Sequence, residues 1–182
     1  REQIPVRLVA GMEIALDQIA DMDDEQLGAA TLGTGRWLLL EMPPRGWPLE
    51  LPELMTALEV RGFRVVIAHP ERNESVQAGP DRLRDLVGRG ALVQVTADSI
   101  TGEHGAAPQR SAQALLRSGL VHVIASDMHG APARRPGVLA GVAAAAKFLR
   151  VGADKLAWMV RDVPQAIISG AEVRPPHTTQ SG

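Results

Sequence analysis

Phe63-Arg64-Val65-Val66-Ile67-Ala68 runs without a break into His69-Pro70-Glu71-Arg72. The first six residues, with β-branched Val65, Val66 and Ile67, read as a strand. The next four place an imidazole, a carboxylate and a guanidinium at its C-terminal end. The same alternation extends in both directions. Strands are expected over 6–10, 37–40, 63–68, 92–96 and 121–125, with helices over 16–27, 51–61, 81–89, 108–117, 138–149 and 154–160 and a short turn over 163–169. Gly62, Gly90 and Gly119 stand where helix C-termini are expected. Strands alternating with helices predict a parallel α/β sheet or a βα barrel. The strand runs are continuously apolar, as expected when both sheet faces are covered.

Each strand is followed by chemistry. Residues 6–10 lead to Gly11-Met12-Glu13, 37–40 to Glu41, 63–68 to His69, 92–96 to Ala97-Asp98, and 121–126 to Asp127-Met128-His129. In parallel βα architectures these strand ends share one face. Carboxylates and imidazoles gathered there repel or desolvate one another unless a cation neutralises them. A mixed N/O donor set suits Mn, Fe or Zn better than Ca or Mg. Asp127 and His129, two apart on an extended segment, point the same way. Singly, each acid reads as a helix cap or loop residue; together, with two histidines among them, they read as a metal site. His122, inside a strand, reads as a packing residue. His104 lies in a Gly-rich loop and His177 in the tail. Arg72 and the Arg134-Arg135-Pro136 cluster read either as solvated or as phosphate-binding, because a guanidinium forks onto oxyanions.

Composition narrows the options. The chain has 182 residues, 45% apolar and 3% aromatic, so its core is built from aliphatic side chains. A formal charge of -2 and the absence of a Lys/Arg run argue against nucleic acid as a partner. There is no Cys, which excludes a disulfide framework and a thiolate nucleophile. No signal peptide and no apolar run of bilayer-spanning length is visible, so no membrane insertion and a cytoplasmic location are expected. The sequence opens at Arg1 directly into an apolar segment, which predicts a fragment or a trimmed product. Residues 1–172 are expected to form one domain and 173–182 a disordered tail.

Gly11-Met12-Glu13-Ile14, Leu39-Leu40-Glu41-Met42-Pro43, Ala68-His69-Pro70-Glu71-Arg72 and Ala125-Ser126-Asp127-Met128-His129 occur in this order. Together they resemble the PHP (polymerase and histidinol phosphatase) superfamily, and within it the capsule- and exopolysaccharide-operon, manganese-dependent tyrosine phosphatases. The equal steps from Glu13 to Glu41 and from Glu41 to His69 match that pattern. The resemblance covers about residues 4–170. It implies a distorted (β/α)7 barrel holding up to three ions of Mn2+, with Fe or Zn as alternatives. It implies Glu41 as a bridge between two metals, Glu13, His69, Asp127 and His129 as the other protein ligands, and Arg72 and Arg134 as holders of the substrate phosphate. The implied partner is the phosphotyrosine-bearing tail of a bacterial tyrosine kinase, which must come from another protein because this chain contains no Tyr. The family's opening His-x-His strand has no counterpart here. The expectation is therefore a barrel lacking its first strands, with weak metal binding and little activity. A small-molecule phosphatase of the histidinol-phosphate type and a non-catalytic remnant remain open, as does a homo-oligomer.

Overall fold

The structure is a computed structural model that describes residues 7–129 and 137–173. Five strands, β1 (Glu13–Ala15), β2 (Trp37–Glu41), β3 (Arg64–Ala68), β4 (Leu92–Thr96) and β5 (Val123–Ala125), form one parallel sheet in sequence order. That order lacks the reversal that creates the crevice of doubly wound sheets. Among the described residues eight α-helices accompany it: α1 (Asp24–Ala30), α2 (Leu51–Val60), α3 (Glu74–Ala78), α4 (Leu83–Gly88), α5 (Ala97–Thr101), α6 (Ala106–Arg117), α7 (Val138–Leu149) and α8 (Asp162–Ser169). No helix among the described residues is long and apolar enough to cross a membrane.

Period-2 alternation divides β2 to β5 between two cores. Leu38, Leu40, Val65, Ile67, Val93, Val95 and Ile124 pack with Leu51, Leu58, Leu86 and Leu115 in the larger one. Trp37, Val66, Leu92 and Val123 pack on the other face against Val163 and Ile167 of α8. Both faces are covered, as the unbroken apolar runs predict. Residues 33–35 fasten α8 to the sheet: Thr34 N–H donates to the Ile168 carbonyl at 3.0 Å. A side chain at Gly35 would collide with the Ile167 carbonyl, so the approach requires glycine.

The 138–149 helix and the 92–96 strand fall where the sequence predicts them. The strand expected over 6–10 does not form: residues 7–10 have no regular structure and Val6 lies outside the described residues. Strand pairing begins only at Glu13, where the chain comes alongside Leu39 of β2. The helix expected over 16–27 is a 3-10 turn (Ile19–Asp21) followed by α1, because Asp23 starts a new helix with a reciprocal capping box to Gln26. The 81–89 helix is likewise divided, into a 3-10 turn (Pro80–Arg82) and α4. The 154–160 segment is 3-10, the expected turn over 163–169 is the helix α8, and β5 begins two residues later than expected. Of the tail, only Val173 is described.

His122, just before β5, is buried and its Nδ1 accepts the Val93 N–H at 3.1 Å. Burial holds its pKa down at about 4, with the Leu120 backbone only partly offsetting it. The unfolded chain therefore binds this proton more readily, and the stability that the neutral ring supplies is complete above about pH 6.5 and is lost as pH falls toward 4. Between pH 7 and pH 5 the loss is expected to be about 2 kcal/mol. Urea unfolding at the two pH values should show it, and a His122→Gln variant should not; an equal slope in both proteins would refute the assignment.

Candidate metal centre

Four of the five strands contribute to a cluster at one end of the sheet. Glu13 opens β1 rather than following it, level with Leu39; Glu41 is the last residue of β2. Trp37, Leu39 and Glu41 share a strand face by alternation, so Glu13 and Glu41 lie on the side covered by α8. His69 follows β3 directly, and Asp127 and His129 follow β5. Asp98, the acid expected after β4, sits within α5 and belongs to neither metal-capable group. Arg134 lies outside the described residues.

Two trios have donor atoms within 4.8 Å of one another: Glu13, Glu41 and His69, and Glu13, Asp127 and His129. Ligands about 2.0–2.2 Å from one cation lie up to about 4.4 Å apart, so each trio needs only small adjustment to hold one ion. Glu13 is common to both trios and Glu41 belongs to one, which differs from the bridging role that the resemblance implies for Glu41.

Local geometry favours ligation. His69 Nε2 lies 2.8 Å from Glu13 Oε1 and 3.7 Å from Glu41 Oε1. The imidazole thus aims a single nitrogen between two carboxylates. His129 Nδ1 lies 2.9 Å from the Asp127 carbonyl, which can only accept, so Nδ1 carries the proton and Nε2 the lone pair. His69 (φ 29°) and Asp127 (φ 49°) are two of the three described non-glycine residues with positive φ. Such backbone costs about 1–3 kcal/mol and persists where the surroundings over-determine it, commonly at functional sites.

Beside the carboxylates stands Arg72. Its Nη2 donates to Asp127 Oδ2 at 2.6 Å and to Thr96 Oγ1 at 3.1 Å. Asp127 Oδ2 is thereby engaged, while Oδ1 faces His129 at 3.6 Å. Arg72 Nε is enclosed without a hydrogen-bond partner. Glu71, its neighbour, is fully buried. Burial pushes its carboxyl pKa up; Ser99, Thr96, its own backbone and the His69 ring oppose this. Thr96 N–H donates to Glu71 Oε1 at 3.0 Å. Ser99 approaches the carboxyl more loosely, and Oε2 has no well-formed partner. Neither Glu71 nor Thr96 is among the candidate site residues that the sequence offers. The available signal was an acid between two functional residues, His69 and Arg72, in a strand-end loop.

The chain is similar to proteins of known activity. The chain is 31% identical over 134 residues to the tyrosine-protein phosphatase YwqE of Bacillus subtilis (strain 168), covering 74% of this chain and 53% of that protein. It is 28% identical over 165 residues to the tyrosine-protein phosphatase CpsB of Streptococcus pneumoniae, covering 87% and 66%. The chain thus spans about half to two thirds of the length of these relatives. A solved structure from work on YwqE and CpsB, described as metal-dependent tyrosine phosphatases, matches with a TM-score of 0.80 at 26% identity over 94% of this chain and 68% of that one. The family model for capsular polysaccharide synthesis proteins CpsB/CapC matches residues 1–169. With a match over nearly its whole length, the chain belongs to the CpsB/CapC family of capsular polysaccharide synthesis proteins.

Proposed function

We propose that the protein is a metal-dependent phosphoric monoester hydrolase acting on phosphotyrosine, with a tyrosine autokinase of capsule or exopolysaccharide synthesis as its substrate protein. The observation that carries this reading is the pair of trios sharing Glu13 at the sheet end, with Arg72 beside them. The sequential parallel sheet is compatible with an arc of a PHP-type barrel, residues 1–172 being that domain. The donor set, three carboxylates and two imidazoles without Cys, fits Mn2+, with Fe and Zn as alternatives.

Glu13 would contribute to both ion positions, being common to the two trios. Glu41 and His69 would complete one; Asp127 and His129 would complete the other. When bound, divalent cations supply Lewis acidity toward phosphoryl oxygens and toward water. Arg72 meets the charge that builds on the equatorial phosphoryl oxygens, and Arg134 is assigned the same task from sequence. Tyrosinate leaves readily enough that no strong general acid is required. A phosphotyrosyl peptide and histidinol phosphate should be assayed with the intact protein, with Mn2+ and after chelation. Mn2+-dependent hydrolysis of the peptide, with little turnover of the small ester, is expected. The reverse preference would favour a small-molecule phosphatase, and zero metal stoichiometry would favour a non-catalytic remnant.

A further inference from the structure

The β3–β4 ladder is short. It pairs Val66 with Leu92 and Ile67 with Val93, whereas β4 continues to pair with β5 through Thr96 and Ala125. At the level of the site β3 and β4 have therefore parted, and a side chain replaces the missing backbone partner: Glu71 Oε1 accepts the Thr96 N–H at 3.0 Å. Both residues are fully buried. The 3-10 turn that carries Glu71 (Pro70–Arg72) also carries Arg72, whose Nη2 donates back to the Thr96 hydroxyl. The two hydrogen bonds close a loop between adjacent residues of one turn and a single residue of β4. Thr96 is the neutral member of the pair that tethers the guanidinium; Asp127 is the charged one, and its carboxylate is also a proposed ligand.

We propose that Glu71 and Thr96 are positioning residues that together orient Arg72 toward the phosphoryl group: Glu71 fixes the Thr96 backbone, and the Thr96 hydroxyl then fixes the guanidinium. This rests on the phosphatase reading for what Arg72 binds, but the relay itself is a property of the chain. A tether independent of Asp127 keeps the guanidinium aimed whatever the carboxylate is engaged with, and a neutral hydroxyl does so without cancelling the charge offered to the phosphate.

The test uses the Mn2+-loaded protein with two readouts: the Arg72 Nε–Hε signal by 15N NMR (with Zn2+ or Mg2+ substituted to avoid paramagnetic broadening), and inorganic phosphate affinity by calorimetry. Thr96→Val, nearly isosteric but without an acceptor, should shift or broaden the Arg72 signal. It should also weaken phosphate binding and raise KM by about three- to tenfold, with metal content unchanged. Thr96→Ser should restore both readouts. Glu71→Gln, which keeps an acceptor for the Thr96 N–H, should resemble the wild type, and Glu71→Met should reproduce Thr96→Val. An unaltered Arg72 signal in Thr96→Val overturns the relay whatever the protein hydrolyses. A changed signal with unchanged phosphate affinity overturns its role in orienting Arg72 for phosphate. Failure of the wild type to bind phosphate would sink the phosphatase reading itself.

Discussion

Glu13→Gln is expected to weaken metal binding at both positions of the cluster, and Glu41→Gln at only one. The prediction follows from geometry: Glu13 has a donor oxygen in each trio, Glu41 in one. Gln keeps the size and one acceptor oxygen, so the contact with His69 Nε2 at 2.8 Å can survive and the fold should stand. What is lost is the negative charge that two cations would share. At several kcal/mol of transition-state stabilisation from the metal, turnover on a phosphotyrosyl peptide should fall by about 10³-fold or more. Equilibrium dialysis against Mn2+ with elemental analysis separates the two variants, the deeper loss belonging to Glu13→Gln. A larger deficit in Glu41→Gln would return the bridging role to Glu41, as the family resemblance implies. Unchanged turnover in both variants would remove the cluster from catalysis.

The second large effect is expected at Arg72. Arg72→Ala should lower kcat/KM by about 10²–10³-fold while leaving the bound metal in place, because it removes a donor aimed at developing charge and no ligand. Arg72→Lys should rescue little. One guanidinium nitrogen reaches both Asp127 Oδ2 and Thr96 Oγ1, and an ammonium on a flexible stem reproduces neither the planarity nor the remaining donors. Stability should respond too. The Asp127 side chain is 5% exposed, and Arg72 is a cationic partner at 2.6 Å. Removing this cation from a buried carboxylate should destabilise the metal-free protein by about 1–3 kcal/mol, and Mn2+ should return most of it. Thermal melts with and without Mn2+ therefore test the site independently of any substrate. The expected result is a larger Mn2+-induced rise in Tm for Arg72→Ala than for the wild type. An equal rise would mean that Arg72 and the metal do not share Asp127.

Much of the architecture could be read locally. The β-branched run ending at Ala68 and the apolar 138–149 pattern announce their elements because packing on a covered sheet or helix face selects those residues. The failures are also local in origin. The apolar residues 8–10 look like part of a strand, yet Leu8 is 91% exposed and pairing waits until the chain meets β2. A strand needs a neighbour, and hydrophobicity does not say where the neighbour begins. The capping box at Asp23 and Gln26 restarts the helix inside a stretch whose apolar spacing is helical throughout.

The sequence by itself determined most of the alternation of strands and helices, and it determined that Glu41, His69 and Asp127 stand at the ends of β2, β3 and β5, because both are written in consecutive residues. The tertiary structure alone decided how those side chains group. His69 meets Glu13 across 56 residues only because β1 and β3 flank β2 in a particular register. Glu71 reaches Thr96 only because β3 and β4 separate early. Register and divergence are set by the packing of two whole cores, so sharing of Glu13 and the tether on Arg72 had no signature along the chain.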